Sequence, residues 1–154
     1  MCGLNIRYEE AGGTDFDDTT LNGLQMTCCD YQTGDAVTVY PGDGHYGDWN
    51  YWYVCSSQYY IPCGMLTRFE WGEHDDDTAL NGIDVKCCHN RNWGDQEARE
   101  LQQGDYGSWD MSWTMCNEGF YICGINFRLE GVLGAGIDDT AGNGIEMRCC
   151  QRDY

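Results

Sequence analysis

Lysine is nearly absent from this chain: Lys86 is the single one, and only 8 basic side chains stand against 26 acidic ones in 154 residues, a formal charge of −18. That balance excludes a phosphate-backbone binder, because affinity for nucleic acid comes largely from Lys and Arg neutralising phosphates. It argues equally against anionic membrane surfaces and favours basic partners or multivalent cations. Proline is scarce, with 2 residues. No run of 18 apolar residues occurs, so no transmembrane helix is expected and no membrane insertion. Asn-X-Ser/Thr sequons are missing, as is the charged-then-apolar opening of a signal peptide, so the printed start reads as a mature form or a fragment. Histidine is limited to His45, His74 and His89, none of which stands in a nucleophile motif. No Cys-X2-Cys spacing appears either, which argues against zinc, and no cofactor is expected.

What the chain does have is cysteine and glycine, 11 and 21 residues. Thiols at that density point to disulfides and an oxidising, extracellular setting. The length suits one domain able to bury a real core, with the bridges reinforcing it.

Internal repetition organises everything else. Cys2-Gly3-Leu4-Asn5-Ile6-Arg7-Tyr8-Glu9 recurs as Cys63 to Glu70 and as Cys123 to Glu130. Each copy is followed by an acidic block, Asp17-Asp18-Thr19-Thr20-Leu21-Asn22-Gly23, Asp76 to Gly82 and Asp138 to Gly144. Each closes on a doublet, Cys28-Cys29, Cys87-Cys88 and Cys149-Cys150. Side chains alternate after Cys-Gly and again after Asn-Gly, the period of half-buried strands. The acidic block between them reads as a turn, with Asn-Gly supplying positive φ. A further module occurs twice, Gly44-His45-Tyr46-Gly47-Asp48-Trp49 before Cys55 and Gly104-Asp105-Tyr106-Gly107-Ser108-Trp109 before Cys116. Strands are expected around it, at about 36–40, 51–54, 97–101 and 111–115. Four strands per complete repeat would make three sheets around a pseudo-threefold axis, each burying one face against the others.

These segments resemble the vitelline membrane outer layer protein I family: the Gly-X-Tyr-Gly-X-Trp segment before a cysteine, the Cys-Gly-Leu-X-X-Arg strand, the Asp-Asp-Thr-Ala-Leu-Asn turn and the terminal Cys-Cys. The resemblance implies an all-β, disulfide-rich β-prism I fold of three Greek-key four-stranded sheets. It also implies a secreted protein of egg coats, mucous layers or other extracellular matrices, with carbohydrate-related activity and no catalytic residues to carry over. The expectation is a single domain over 1–154, made of an incomplete first repeat (1–29), a second (30–88) and a third (89–150).

Cysteine arithmetic follows the repeats. Cys55, Cys63, Cys87 and Cys88 fall in the second, Cys116, Cys123, Cys149 and Cys150 in the third, and Cys2, Cys28 and Cys29 in the first. Adjacent strand residues point to opposite faces, so the two members of each doublet seek different partners. Two bridges within each complete repeat are expected, joining the tryptophan-side and Cys-Gly cysteines to the doublet; which goes to which is left open by the spacing. The position matching Cys55 and Cys116 falls before Met1. A first sheet without its leading strands would expose an edge, to be filled by upstream residues or by a neighbouring molecule in a homo-polymer.

Three functions compete. The first is a structural or adhesive matrix protein working through surfaces, with other matrix proteins or glycans as partners. The second is a lectin with Tyr46, Trp49, Tyr106 and Trp109 as the glycan contacts, since aromatic faces stack on sugars. The third is a carbohydrate-active enzyme on chitin-like oligosaccharides. Asp17, Asp18, Asp76, Asp77, Asp138 and Asp139 are weak calcium candidates, for calcium wants six to eight oxygens and each turn offers few. They are poor catalytic dyads, because a motif copied three times serves the fold at least twice. Arg7, Arg68 and Arg128, each two residues before a glutamate, read as surface ion pairs of small worth.

Overall fold

The computed structural model of the chain describes residues 1–10, 20–30, 32–44, 46–50, 53–70, 80–101, 104, 106–129 and 142–151. Among them every regular element is a strand: β1 (Gly3–Tyr8), β2 (Leu21–Cys29), β3 (Ala36–Asp43), β4 (Asp48–Trp49), β5 (Tyr53–Val54), β6 (Tyr60–Phe69), β7 (Leu80–His89), β8 (Asn92–Glu100), β9 (Ser108–Trp109), β10 (Thr114–Met115), β11 (Phe120–Leu129) and β12 (Gly142–Gln151). No helix among the described residues is long and apolar enough to cross a membrane.

The two repeated strands of each copy pair antiparallel, as their alternation predicts: β1 with β2, β6 with β7 and β11 with β12. Their inward residues build one core drawn from three sheets, with Leu4, Ile6 and Leu24 from the first, Leu80, Ile83 and Val85 from the second, and Ile122 and Phe127 from the third. Leu4, Ile6, Leu24, Ile83 and Ile122 are all essentially inaccessible to solvent. Burying such a side chain is worth about 1.5–3 kcal/mol.

The module strands pair differently from the expectation. β4 and β5 lie on β1, with Arg7 opposite Trp49 and Gly3 opposite Val54, while β3 lies on the other side of β2. The first sheet therefore has five strands, in the order β3-β2-β1-β4 with β5 also on β1. The second copies it as β10-β6-β7-β8 with β9 on β6. Among the described residues the third sheet holds only β11 and β12. The expectation that the first sheet lacks strands is thus corrected: among the described residues the third is the short one. The reason is chain connectivity, since β3, β4 and β5 follow β2 through short turns and fold back onto the hairpin just completed. Counting each repeat as ending on its Cys-Cys doublet assigns them to the hairpin that follows.

A second difference concerns the Asn-Gly pairs. Asn22-Gly23, Asn81-Gly82 and Asn143-Gly144 lie inside β2, β7 and β12, and the left-handed glycines among the described residues are Gly34, Gly47, Gly107 and Gly119. Gly23 serves by its size. A Cβ there would stand 3.1 Å from the Trp49 ring and 3.0 Å from the Arg7 Cβ, so the glycine is what lets Trp49 lie across the sheet.

Five disulfides close the frame: Cys2–Cys29, Cys63–Cys88 and Cys123–Cys150 each staple one hairpin. Cys55–Cys87 and Cys116–Cys149 staple the segment leaving one sheet to the second strand of the next. In both complete sets the first doublet member takes the tryptophan-side cysteine and the second takes the Cys-Gly cysteine, which resolves the pairing left open by the spacing. Cys28 is the free cysteine and is half-buried.

Candidate functional site

The two Gly-X-Tyr-Gly-X-Trp modules are built alike, on different sheets. In the first, the backbone N–H of Gly44 donates to the Asn22 carbonyl at 2.7 Å. The Arg7 guanidinium, reaching up from β1, donates through Nε to the Gly47 carbonyl at 2.9 Å and through Nη1 to the Gly44 carbonyl at 2.5 Å. It also meets the Asp43 carboxylate at 3.0 Å. In the second module, Gly104 N–H donates to the Asn81 carbonyl at 2.7 Å, and Arg68 donates to the Gly107 and Gly104 carbonyls at 3.1 and 2.6 Å. A planar, permanently charged fork suits this clasp, since it can hold two carbonyls at once.

Glycine is required where the clasp closes. Gly47 and Gly107 have φ of 78° and 77°. A Cβ at either would lie 2.4 Å from the carbonyl oxygen of Tyr8 or Phe69. The strand after the turn is short but anchored: the Asn50 and Asp110 backbone N–H groups donate to the Ile6 and Thr67 carbonyls at 2.9 and 2.8 Å. The Thr67 hydroxyl also donates to the Asp110 carboxylate.

What these clasped turns present to solvent is tyrosine. Tyr46 is 45% exposed and Tyr106 44%. Trp49 and Trp109 are half-buried, opposite Arg7 and Arg68 in the strand pairing. Tyr46 and Trp49 thus belong to one turn, and Tyr106 and Trp109 to a second on another sheet. A cleft of about 400 Å³ beside the first turn is lined by Tyr8, Glu9, Glu10, Gly47, Asp48 and Asn50. Its chemistry is that of backbone, carboxylates and an amide, which can accept hydrogen bonds from hydroxyl groups.

Other candidates fare differently. Asp17, Asp18, Asp76, Asp77, Asp138 and Asp139 lie outside the described residues. Tyr59 is 49% exposed and stacks on His89, with ring centroids 6.1 Å apart. Cys55, Cys87 and Glu97 cluster closely enough to suggest a metal, but the two sulfurs are bonded to each other. Spacing alone missed the arginine clasp, because its acceptors are main-chain oxygens that no residue letter encodes; the recurrence of the arginine was the available signal. It also missed Asp84, which is buried on β7 opposite Glu100. Desolvation first, and the facing Glu100 charge second, push its carboxyl up to about 6 despite a hydrogen bond from the Leu101 backbone.

Residues 2–152 match the family model described as vitelline membrane outer layer protein I. Among curated proteins, the human "Vitelline membrane outer layer protein 1 homolog" is 28% identical over 150 residues, covering 97% of this chain and 70% of the relative. The mouse protein of the same name is 28% identical over 149 residues, covering 96% and 70%.

Proposed function

Since the chain belongs to the vitelline membrane outer layer protein I family, we propose that it is a secreted structural protein of an egg coat, mucous layer or similar extracellular matrix. It works through surface binding and assembly and not through turnover. Residues 1–154 form one β-prism domain made of three repeats in this reading. Five disulfides in a chain of this size support an extracellular setting. The −18 charge keeps such a protein hydrated and selects basic matrix partners.

Glycans are the second class of partner. The observation that carries this is the pair of arginine-clasped turns, each holding an exposed tyrosine, Tyr46 or Tyr106, beside hydrogen-bonded main-chain carbonyls. Tyrosine offers an apolar ring face and a polar hydroxyl at little entropic cost on binding, and the half-buried Trp49 and Trp109 follow three residues later on the same turns. Two weak sites on one molecule bind a polymeric glycan by avidity.

Retention of the purified protein on immobilised mucin and on chitin oligomers tests this. The expected result is binding that weakens about tenfold or more when Tyr46 and Tyr106 are both replaced by alanine, with no shortened product from the oligomers. Retention unaffected by the double substitution would overturn the tyrosine assignment. Accumulating product would overturn the non-enzymatic reading.

A further inference from the structure

We infer that Tyr59 and His89 form a separate sugar-stacking platform, at the opposite end of the second sheet from the Tyr106 turn, and that a molecule with a platform at each end bridges neighbouring glycan chains. The inference rests on the reading that glycans are partners of this protein, and it adds to that reading a site of its own.

The hairpin of β6 and β7 sets the separation. Tyr60 pairs with His89 at one end of it and Phe69 with Leu80 at the other. The Tyr106 turn closes on the Phe69 end, where Gly107 abuts the Phe69 carbonyl, whereas Tyr59 immediately precedes β6. The ten residues of β6 lie between the two ends, roughly 30 Å of extended chain. A short sugar segment held at one end therefore leaves the other free for a second chain.

Tyr59 is held ready for a ligand. Its ring lies on the His89 ring at an interplanar angle of 26°, so one face is covered while the side chain stays half exposed. Tyr60 meets the same imidazole edge-on, with centroids 5.2 Å apart, and its hydroxyl bonds Asp95. The backbone is fixed as well. The Tyr59 N–H donates to the Ser57 hydroxyl at 3.3 Å, and the Asn90 N–H donates to the Tyr59 carbonyl at 2.7 Å. The Arg91 N–H donates to His89 Nδ1 at 3.2 Å. An imidazole that accepts at Nδ1 carries its proton on Nε2 when neutral, and Nε2–H is a donor for a sugar hydroxyl oxygen. Rings positioned before binding cost little to immobilise.

The third copy shows that strand pairing does not need this trio. There Phe120 stands opposite Gln151 in the register that Tyr60 and His89 share, and Gly119 takes the place of Tyr59. An exposed aromatic stack that one copy builds and another omits is accounted for by contact with a ligand and not by the fold. The flanking groups select that ligand. The Asp95 and Glu97 carboxylates both act on the Tyr60 hydroxyl, and with a chain charge of −18 they disfavour sulfated, sialylated or phosphorylated groups. A neutral hexose fits, with its C–H face on the open face of Tyr59 and its hydroxyls towards Nε2–H and the Asp95 carboxylate.

The test uses the whole chain with Tyr46 and Tyr106 both replaced by alanine, titrated with the neutral trisaccharide of N-acetylglucosamine and followed by the ring-proton resonances of Tyr59 and His89. Both sets should move on titration. Adding Tyr59→Ala should weaken binding about fivefold or more, and Tyr59→Phe, which keeps the ring face, should restore it. Unmoved Tyr59 and His89 resonances, in a protein whose parent still binds through Tyr46 and Tyr106, would overturn the platform and leave the glycan reading standing. A parent that binds no glycan would overturn both. Bridging is read from sedimentation of soluble desialylated mucin. The parent should draw it into a sedimenting network, and Tyr59→Ala should bind it while leaving it in solution. Equal networks from both would overturn the bridging role, and preference for sialylated mucin would overturn the neutral ligand.

Discussion

Arg68 holds the carbonyl of Gly107 at 3.1 Å across 39 residues of sequence, and Arg7 holds Gly47 in the same way across 40. Charged hydrogen bonds of this kind contribute roughly 1.5–3 kcal/mol each when broken. Arg68→Ala should therefore lower stability by about 2 kcal/mol or more in denaturant unfolding, and Arg68→Lys should restore only part of it because a point charge cannot fork. Arg128→Ala, at the exposed third position, should fall within about 0.5 kcal/mol of the parent.

Gly107→Ala tests the turn itself. Its φ of 77° and the 2.4 Å approach to the Phe69 carbonyl oxygen set strain and collision together. The expected cost is about 2 kcal/mol or more. Gly119→Ala has a similar φ of 82° with open space around the Cβ, so it should cost only about 1–2 kcal/mol. Equal melting temperatures for the two variants would show that the collision is relieved without cost.

Peptide mapping without reduction should return five bridges, Cys2–Cys29, Cys55–Cys87, Cys63–Cys88, Cys116–Cys149 and Cys123–Cys150, with Cys28 alone alkylated. Replacing Cys55 and Cys87 together should cost roughly 3–4 kcal/mol, the chain-entropy value for a loop of this length. A fragment joining Cys28 to any of the ten other cysteines would contradict the arrangement.

Asp84 makes stability depend on pH in an unusual direction for a carboxylate. Its folded value of about 6 lies above the unfolded one, so the folded state holds the proton more tightly. The stability this group contributes is full below about pH 4 and is lost as pH rises through about 6. Asp84→Asn should raise stability at pH 7 by roughly 2 kcal/mol and leave it nearly unchanged at pH 4. A gain of equal size at both values would assign it to packing and not to titration.

Local pattern carried much of the fold. The alternation of Leu4, Ile6, Leu24 and Met26, and of Ile83 and Val85, placed the hairpins and their core faces, and the doublets told that neighbouring cysteines must diverge. Pairing between elements was less legible. The same period of repeats is satisfied whether β4 and β5 join the hairpin before them or the one after, and only three-dimensional chain closure distinguishes the two. The glycan candidates Tyr46, Trp49, Tyr106 and Trp109 stood out by recurrence, but the division between exposed tyrosine and half-buried tryptophan depends on Gly23 leaving room for the Trp49 ring. Asp84 gave no sign, because its burial and the facing Glu100 arise from strand register.

The bridges also set how far the molecule can be drawn out under load. Pulled from both ends, a chain stapled at Cys2–Cys29, Cys55–Cys87 and Cys116–Cys149 can unravel only between residues 29 and 55 and between 87 and 116. Its taut length is then about 200 Å, against about 500 Å for the same chain unbridged. A layer woven from such units would yield a little and then stiffen abruptly, with covalent bonds bearing the tension.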